Sequence, residues 1–211
     1  MFLQLRKTTL LCCFFVLHFT SCRSGKEQFS PCQVVDGGLK DGRASCEVYA
    51  ALIAYGGQEF SKAVVLNETI TLGGFDRSRV GSVDGRALED MCSRSLGSVR
   101  ANAALIHSLC QSSGAGVPLS DVFPPSNGPH LVPVDRIWSR DGDGGLVARA
   151  AGDLSVYVVF SKVAFDEQKR SAVVYMGYHC GPRCGEGCLF SVERTKDGWK
   201  NVGCVWRGWE S

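Results

Sequence analysis

The feature that most constrains this chain is its sulfur. Eleven of its 211 residues are cysteine, and eight of them lie downstream of residue 22: Cys32, Cys46, Cys92, Cys110, Cys180, Cys184, Cys188 and Cys204. Cysteines at this density survive as cross-links in an oxidising compartment, whereas in a reducing cytosol they serve metals or catalysis. The compartment must therefore be read before the fold.

Residues 1–21 carry that information. Arg6 and Lys7 form a basic start, and Thr8 to Phe19 is a 12-residue stretch dominated by Leu, Phe, Cys and Val. A bilayer-spanning helix needs about 20 apolar residues, so the stretch reads as a secretion signal and not as an anchor helix. It ends in Phe19-Thr20-Ser21-Cys22, which resembles a bacterial lipobox whose cysteine receives a diacylglyceryl group and becomes the mature N-terminus. Phe19 stands where such motifs usually carry Leu. Arg23 is not the Asp of an inner-membrane retention signal, which favours an outer-membrane or surface destination. The alternative is a plain signal peptide with Cys22 an ordinary cysteine.

Cleavage before Cys22 changes the electrostatics. The whole chain carries 23 basic and 21 acidic residues; Arg6 and Lys7 leave with the signal, so the mature chain has 21 of each. No net charge then drives binding to nucleic acid or anionic lipid. Hydrophobic residues at 45% and charged residues at 21% are globular values that exclude disorder and a multispanning membrane protein. The expected partners are the bacterial membrane, through the lipid on Cys22, and an envelope or extracellular ligand of unknown identity.

Ser24 to Gly42 is polar, with Pro31 and Gly37-Gly38, and reads as a tether over residues 22–42 ahead of one domain spanning 43–211. Val48, Leu52 and Tyr55 recur at helical spacing in Ser45 to Tyr55, and Gly56-Gly57 supplies a stop. Ala63 to Leu66 and Thr69 to Leu72 read as short strands. Asp84 can cap a helix through Leu88 to Ser93. Ser98 can cap another that places Ala103, Ile106 and Cys110 on one face. Val117 to Pro129, with four prolines, is loop; Leu131 to Trp138 is a candidate strand, followed by a turn at Asp141 to Gly145. In the C-terminal third, Leu154 to Phe165, Ser171 to Tyr178, Cys188 to Arg194 and Trp199 to Trp209 read as four strands. Turns at Asp166 to Lys169 and at Lys196-Asp197-Gly198 separate them, the Asp-Gly pair being a strong hairpin signal. The expected fold class is α+β, with helices preceding and packing on a C-terminal antiparallel meander braced by disulfides.

The succession Ser161-Lys162-Val163-Ala164-Phe165, Ala172 to Gly177, Cys180-Gly-Pro-Arg-Cys184-Gly-Glu-Gly187, Gly198-Trp199-Lys200 and Trp209-Glu210-Ser211 resembles a family of exported bacterial proteins. That family carries SRVGF, ALVYV, CGxLCGxG, GKWKV and WxS in the same order at its C-terminus. Cys46-Glu47-Val48-Tyr49 with Leu52-Ile53 resembles its upstream YEVY…LI helix. This chain departs from the pattern at Arg183, where the family has Leu, and by adding Cys188 and Cys204. The resemblance implies an envelope class and no chemistry.

Among chemistry-bearing residues, His179-Cys180-Gly-Pro-Arg-Cys184-Gly-Glu-Gly-Cys188 is the densest stretch. It supports three readings. Zinc accepts thiolates and imidazole, but the second knuckle of a structural site is missing. A redox pair would use Cys180 and Cys184, with three residues between them where C-x-x-C has two and without a βαβ setting, with His179 and Arg183 able to lower a thiol pKa. The third reading is a disulfide pinning a glycine-rich loop between strands. Eight cysteines allow 105 pairings. Position in the expected elements suggests Cys188 with Cys204 across the last hairpin and Cys92 with Cys110 between successive helices, leaving Cys32 with Cys46 to tie the tether to the first helix.

The enzyme case is thin: G-x-S-x-G, H-E-x-x-H, G-x-x-x-x-G-K-[ST] and G-x-G-x-x-G are all missing. His107 reads as a surface residue and His130 as a loop residue, while His179 is expected to order its neighbouring loop. Asp141 and Asp143 fail as a calcium loop, because Gly145 occupies a ligand position and no Glu closes the twelve. No cofactor is expected. Trp199, Trp206 and Trp209 crowd the last strand, and alternation puts Trp206 opposite the other two unless a bulge intervenes. His179, Arg183 and Trp206 are the candidate binding surface. The chain thus reads as a lipid-anchored, non-enzymatic binding or structural module, with a secreted thiol-redox or metal protein using Cys180 and Cys184 as the alternative.

Overall fold

A computed structural model describes residues 32, 41–60, 63–70, 90–93, 102–112, 116–123, 128–140, 146–148, 156–181 and 184–210. Expectations placed on residues 1–21, Cys22, Asp84, Ser98, the Asp141 to Gly145 turn and Arg183 fall outside them.

The first helix, α1 (Gly42–Tyr55), starts three residues ahead of the expected Ser45 and buries Cys46, Val48, Tyr49 and Leu52, a stripe at three- and four-residue spacing. It stops at the glycine pair: Gly57 takes a left-handed φ of 60°, and a single further turn, α2 (Gly57–Phe60), follows. Strand β1 (Val64–Leu66) is buried at every position, as a parallel strand covered on both faces requires. The expected second run at Thr69 does not form a strand in the described residues; Glu68 and Ile70 make isolated bridges to Pro118 and Ser161. Side chains take the ladder's place here. Asn67 Oδ1 accepts from Ser120 N at 2.7 Å and Thr69 Oγ1 from Val117 N at 2.8 Å, so this segment binds the 117–123 loop.

Residues 90–93 are helical, and α3 (Ala103–Gln111) follows from Asn102 with Ile106 and Leu109 buried. Its inward face differs from the one expected. Ala103 is exposed, and Leu105 and Cys110 flank the buried pair, because the core lies against the Ile106–Leu109 ridge. His107 is exposed on α3, and His130 is exposed in a loop. The 117–123 segment, expected as loop, holds a 3-10 turn at Leu119–Asp121 and drives Leu119 and Phe123 into the core.

Leu131 to Trp138 is not one strand. β2 (Leu131–Val132) ends at Pro133, which cannot donate to a ladder, and Arg136 N turns back onto Pro133 O at 3.1 Å in a short helix, α4 (Val134–Ile137). β3 (Trp138–Arg140) then pairs antiparallel with β4 (Leu146–Ala148) as a separate ribbon.

Leu154 to Phe165 is likewise divided, into β5 (Tyr157–Phe160) and β6 (Ala164–Phe165). Ser161 makes the break. Its N–H donates to Tyr175 O at 2.9 Å, while its hydroxyl accepts from Tyr175 N at 2.8 Å and donates to Lys162 O at 2.7 Å. A side-chain oxygen thus occupies the place of a ladder carbonyl. Tyr49 of α1 reaches the same residue, its hydroxyl donating to Ser161 O at 2.9 Å in the buried interior.

β7 (Ser171–Gly181), β8 (Cys184–Thr195) and β9 (Gly198–Glu210) complete the antiparallel meander. The Asp166 carboxylate organises the turn into β7 by accepting from Arg170 N and Ser171 N. The meander was expected; its extension was not. β1 and β2 add in parallel beyond β5, giving a seven-stranded mixed sheet in the order β2-β1-β5-β7-β8-β9 with β6 also on β7. One face packs under α1 through Tyr49, Leu52, Phe160, Val174, Phe190 and Trp199. The other packs under α3 through Ile106, Leu109, Val159, Tyr175 and Leu189, with Met91. The fold is α+β, with helices on a C-terminal antiparallel meander.

Four disulfides brace it. Cys32–Cys46, Cys92–Cys110, Cys180–Cys184 and Cys188–Cys204 have Cα separations of 5.7, 5.7, 5.0 and 5.9 Å, within the range a disulfide spans. Cys32 is buried beside α1, so the segment ahead of the helix is bonded to the core at this point.

Burial raises the ionisation of Tyr49 well above its ordinary value of 10. The folded state therefore keeps a proton that the unfolded chain releases above about pH 10, and this contribution to stability is present below that pH and lost as pH rises. Tyr49→Phe should lower stability at pH 7.5 by about 1–2 kcal/mol, since Ser161 O loses its donor. In urea titrations the gap to wild type should narrow at pH 11.

Candidate functional site

The tip of the β7–β8 hairpin gathers the residues that sequence singled out, and both faces of the sheet are elaborated there. Cys180 and Cys184 are bonded across the tip. Because side chains alternate along a strand, Tyr175 and His179 point to one face and Met176, Tyr178 and Cys180 to the other.

On the first face an aromatic row crosses the sheet. The Tyr157 ring of β5 stacks on the His179 imidazole with centroids 4.4 Å apart and planes 8° from parallel; His179 in turn meets Trp209 of β9 at 4.7 Å. Trp209 Nε1 donates to Tyr175 Oη at 2.8 Å, and Tyr175 is fully buried. To reach these partners the Trp209 ring lies across β8 over Gly185 and Gly187. A Cβ on Gly187 would collide with Tyr175 Oη and Trp209 Nε1. Glycine here lets the ring supply the packing that β8 lacks. His179 is thus held inside a strand by two rings.

Trp206 shares this face with Trp209. In the β8–β9 register Leu189 faces Trp206, Cys188 faces Arg207 and Gly187 faces Trp209, so Gly208 is an extra residue and the alternation shifts. Trp199, opposite Arg194, lies on the α1 face and packs in that core. The bulge therefore reverses the simple alternation for Trp209: Trp199 is the tryptophan set apart.

On the second face a cavity of about 530 Å³ opens between the end of α1, α2 and the hairpin tip. Two ring pairs form its walls: Phe60 with Tyr178 at 4.7 Å, and Tyr55 with Phe190 at 6.0 Å. Tyr55 is 65% exposed. Gly56 allows this arrangement, since a Cβ there would overlap the Phe60 ring. Met176 and the Cys180–Cys184 bridge line one end, and the carboxylates of Glu186 and Glu210 line the rim. These two acids face each other across the β8–β9 ladder. Arg207 pairs with Glu210; Glu186 is exposed.

The groove offers ring faces, shape and negative charge, and its cysteines are held as a disulfide, not as thiolates. Of the residues proposed from sequence, His179 belongs to the aromatic row, Trp206 lies on the same face, and Cys180 and Cys184 border the groove behind it. Sequence reasoning passed over Tyr157, Tyr175, Tyr55, Phe60, Tyr178, Phe190, Glu186 and Glu210. Period-two spacing of Met176, Tyr178 and Cys180 was a usable signal for one wall. Nothing local announces that Gly56-Gly57 brings Phe60 back over the sheet.

Compared with family models, with curated proteins and with solved structures, the chain matches none.

Gly187→Ala should destabilise the fold by about 1–3 kcal/mol through overpacking. It should also displace Trp209, read as a red shift of tryptophan emission; an unchanged spectrum would contradict the contact.

Proposed function

We propose that this chain is an exported, lipid-anchored protein of the bacterial envelope that acts as a non-enzymatic binding module, with the groove beside Cys180–Cys184 as its ligand site. The groove carries the reading. A cavity of about 530 Å³ is in the range of small-molecule sites, which are mostly apolar with a few placed polar groups. Here aromatic walls meet rim carboxylates, so the groove is more polar than most such sites. Export is supported by four disulfides and by the basic and apolar character of residues 1–21. Among the described residues no helix is long and apolar enough to cross a membrane. Attachment at the outer membrane through Cys22 is part of the proposal, as is membership of the exported family that the C-terminal motifs resemble.

One observation favours a second reading, in which the tip is a thiol-redox device: Cys184 is exposed and borders the groove. Stepwise reduction with dithiothreitol followed by alkylation separates the two. The binding reading expects no selective, reversible opening of Cys180–Cys184 at a potential near that of cellular dithiols. The redox reading requires it.

Two further outcomes test the main proposal. Cys22→Ala should abolish fatty-acid labelling and release the protein from membranes; unchanged partitioning would remove the anchor. In nuclear magnetic resonance titrations with small aromatic compounds, amide signals of residues 55–60, 176–180 and 184–190 should move together, and Phe60→Ala should weaken the response several-fold. Shifts scattered over the surface, or indifferent to that substitution, would remove the groove.

A further inference from the structure

We infer that the groove selects a small organic cation, a compound carrying an alkylammonium or quaternary ammonium head; this inference rests on the groove being the ligand site. Its walls are ring pairs from different elements, Phe60 with Tyr178 and Tyr55 with Phe190. Aromatic faces attract cations through their quadrupoles, and several rings around one volume are how proteins hold quaternary ammonium groups. The rim adds charge of the matching sign. Glu186 and Glu210 stand opposite one another, where two like charges are unfavourable in the empty protein. A bound cation between them relieves that repulsion.

No basic side chain is among the described residues lining the cavity. Arg207 lies outside the lining and answers Glu210 from along its own strand, leaving Glu186 as the carboxylate without a basic partner among the described ion pairs. An anionic ligand would meet carboxylates with no described cation in the lining to offset them. A neutral one would use the rings and leave the rim unused.

Two probes of the same shape decide the matter: benzyltrimethylammonium and its uncharged carbon isostere, neopentylbenzene. Titrated into the full-length protein and followed through the groove amides, the cation should bind at least about tenfold more tightly, a difference of about 1.4 kcal/mol. Glu186→Gln, at an exposed position that does not support the core, should weaken the cation several-fold and leave the isostere unchanged. Arg207→Ala should act in the opposite direction, tightening the cation by freeing Glu210. Raising salt from 0.15 to about 1 M should weaken the cation alone. Equal affinity for both probes, or indifference to Glu186→Gln and Arg207→Ala together, would overturn the cation while leaving the groove intact as a site. Binding of neither probe would overturn both.

Discussion

Covalent bridging between elements that cannot hold one another by area alone is the constraint on which this structure depends. Most strands and two of the helices span only two to four residues, and such pieces bury little surface individually. The longer elements, α1, α3, β7, β8 and β9, each carry a bridged cysteine. Closing loops of 14, 18 and 16 residues restricts the unfolded chain by about 2–4 kcal/mol each on the chain-entropy account. That is comparable with a domain's whole net stability. The bridge across the hairpin tip closes a separation of only 4 residues and so gains less from chain entropy; its effect is local, fixing where the groove ends.

The second organising device is the bulged edge. β9 pairs with β8 through three register shifts, which leave Val202, Val205 and Gly208 as extra residues at intervals of three. Each extra residue increases local twist and breaks the flat run of unpaired groups that an edge strand would offer to another chain. The shifts also sort the side chains. Without the bulge at Gly208, Trp209 would point away from Tyr175 and His179. With it, one strand supplies Trp199 and Cys204 to the α1 side and Trp206 and Trp209 to the other.

These devices explain which parts of the fold could be read in advance. The meander was legible because Ser171 to Tyr178 and Cys188 to Arg194 are long, rich in strand formers and separated from their neighbours by turn residues. The parallel strands were not, since Val64–Leu66 and Leu131–Val132 are short runs whose partners lie far along the chain. Ser161 sits in what reads as an unbroken strand, and only its bonds to Tyr175 show that its hydroxyl ends the ladder. The site divides in the same way. His179, Cys180 and Cys184 stand out by residue type, but Tyr55 and Phe60 become wall residues through a reversal at two glycines that reads locally as a helix stop.

The two faces of the hairpin tip are coupled by construction. Tyr175 and His179 alternate with Met176, Tyr178 and Cys180 on one strand, so whatever fixes the first set fixes the backbone beneath the second. Tyr157, His179 and Trp209 stack across three strands, and Trp209 is bonded to buried Tyr175; the row restrains the strands at the end where the groove opens. The disulfide restrains the remaining freedom, the splaying of β7 from β8 beyond residue 180. A ligand entering the groove then meets walls already near their bound positions and spends less of its interaction energy on ordering them. The aromatic row need not touch a ligand to govern its affinity: it acts through the strands that the two faces share.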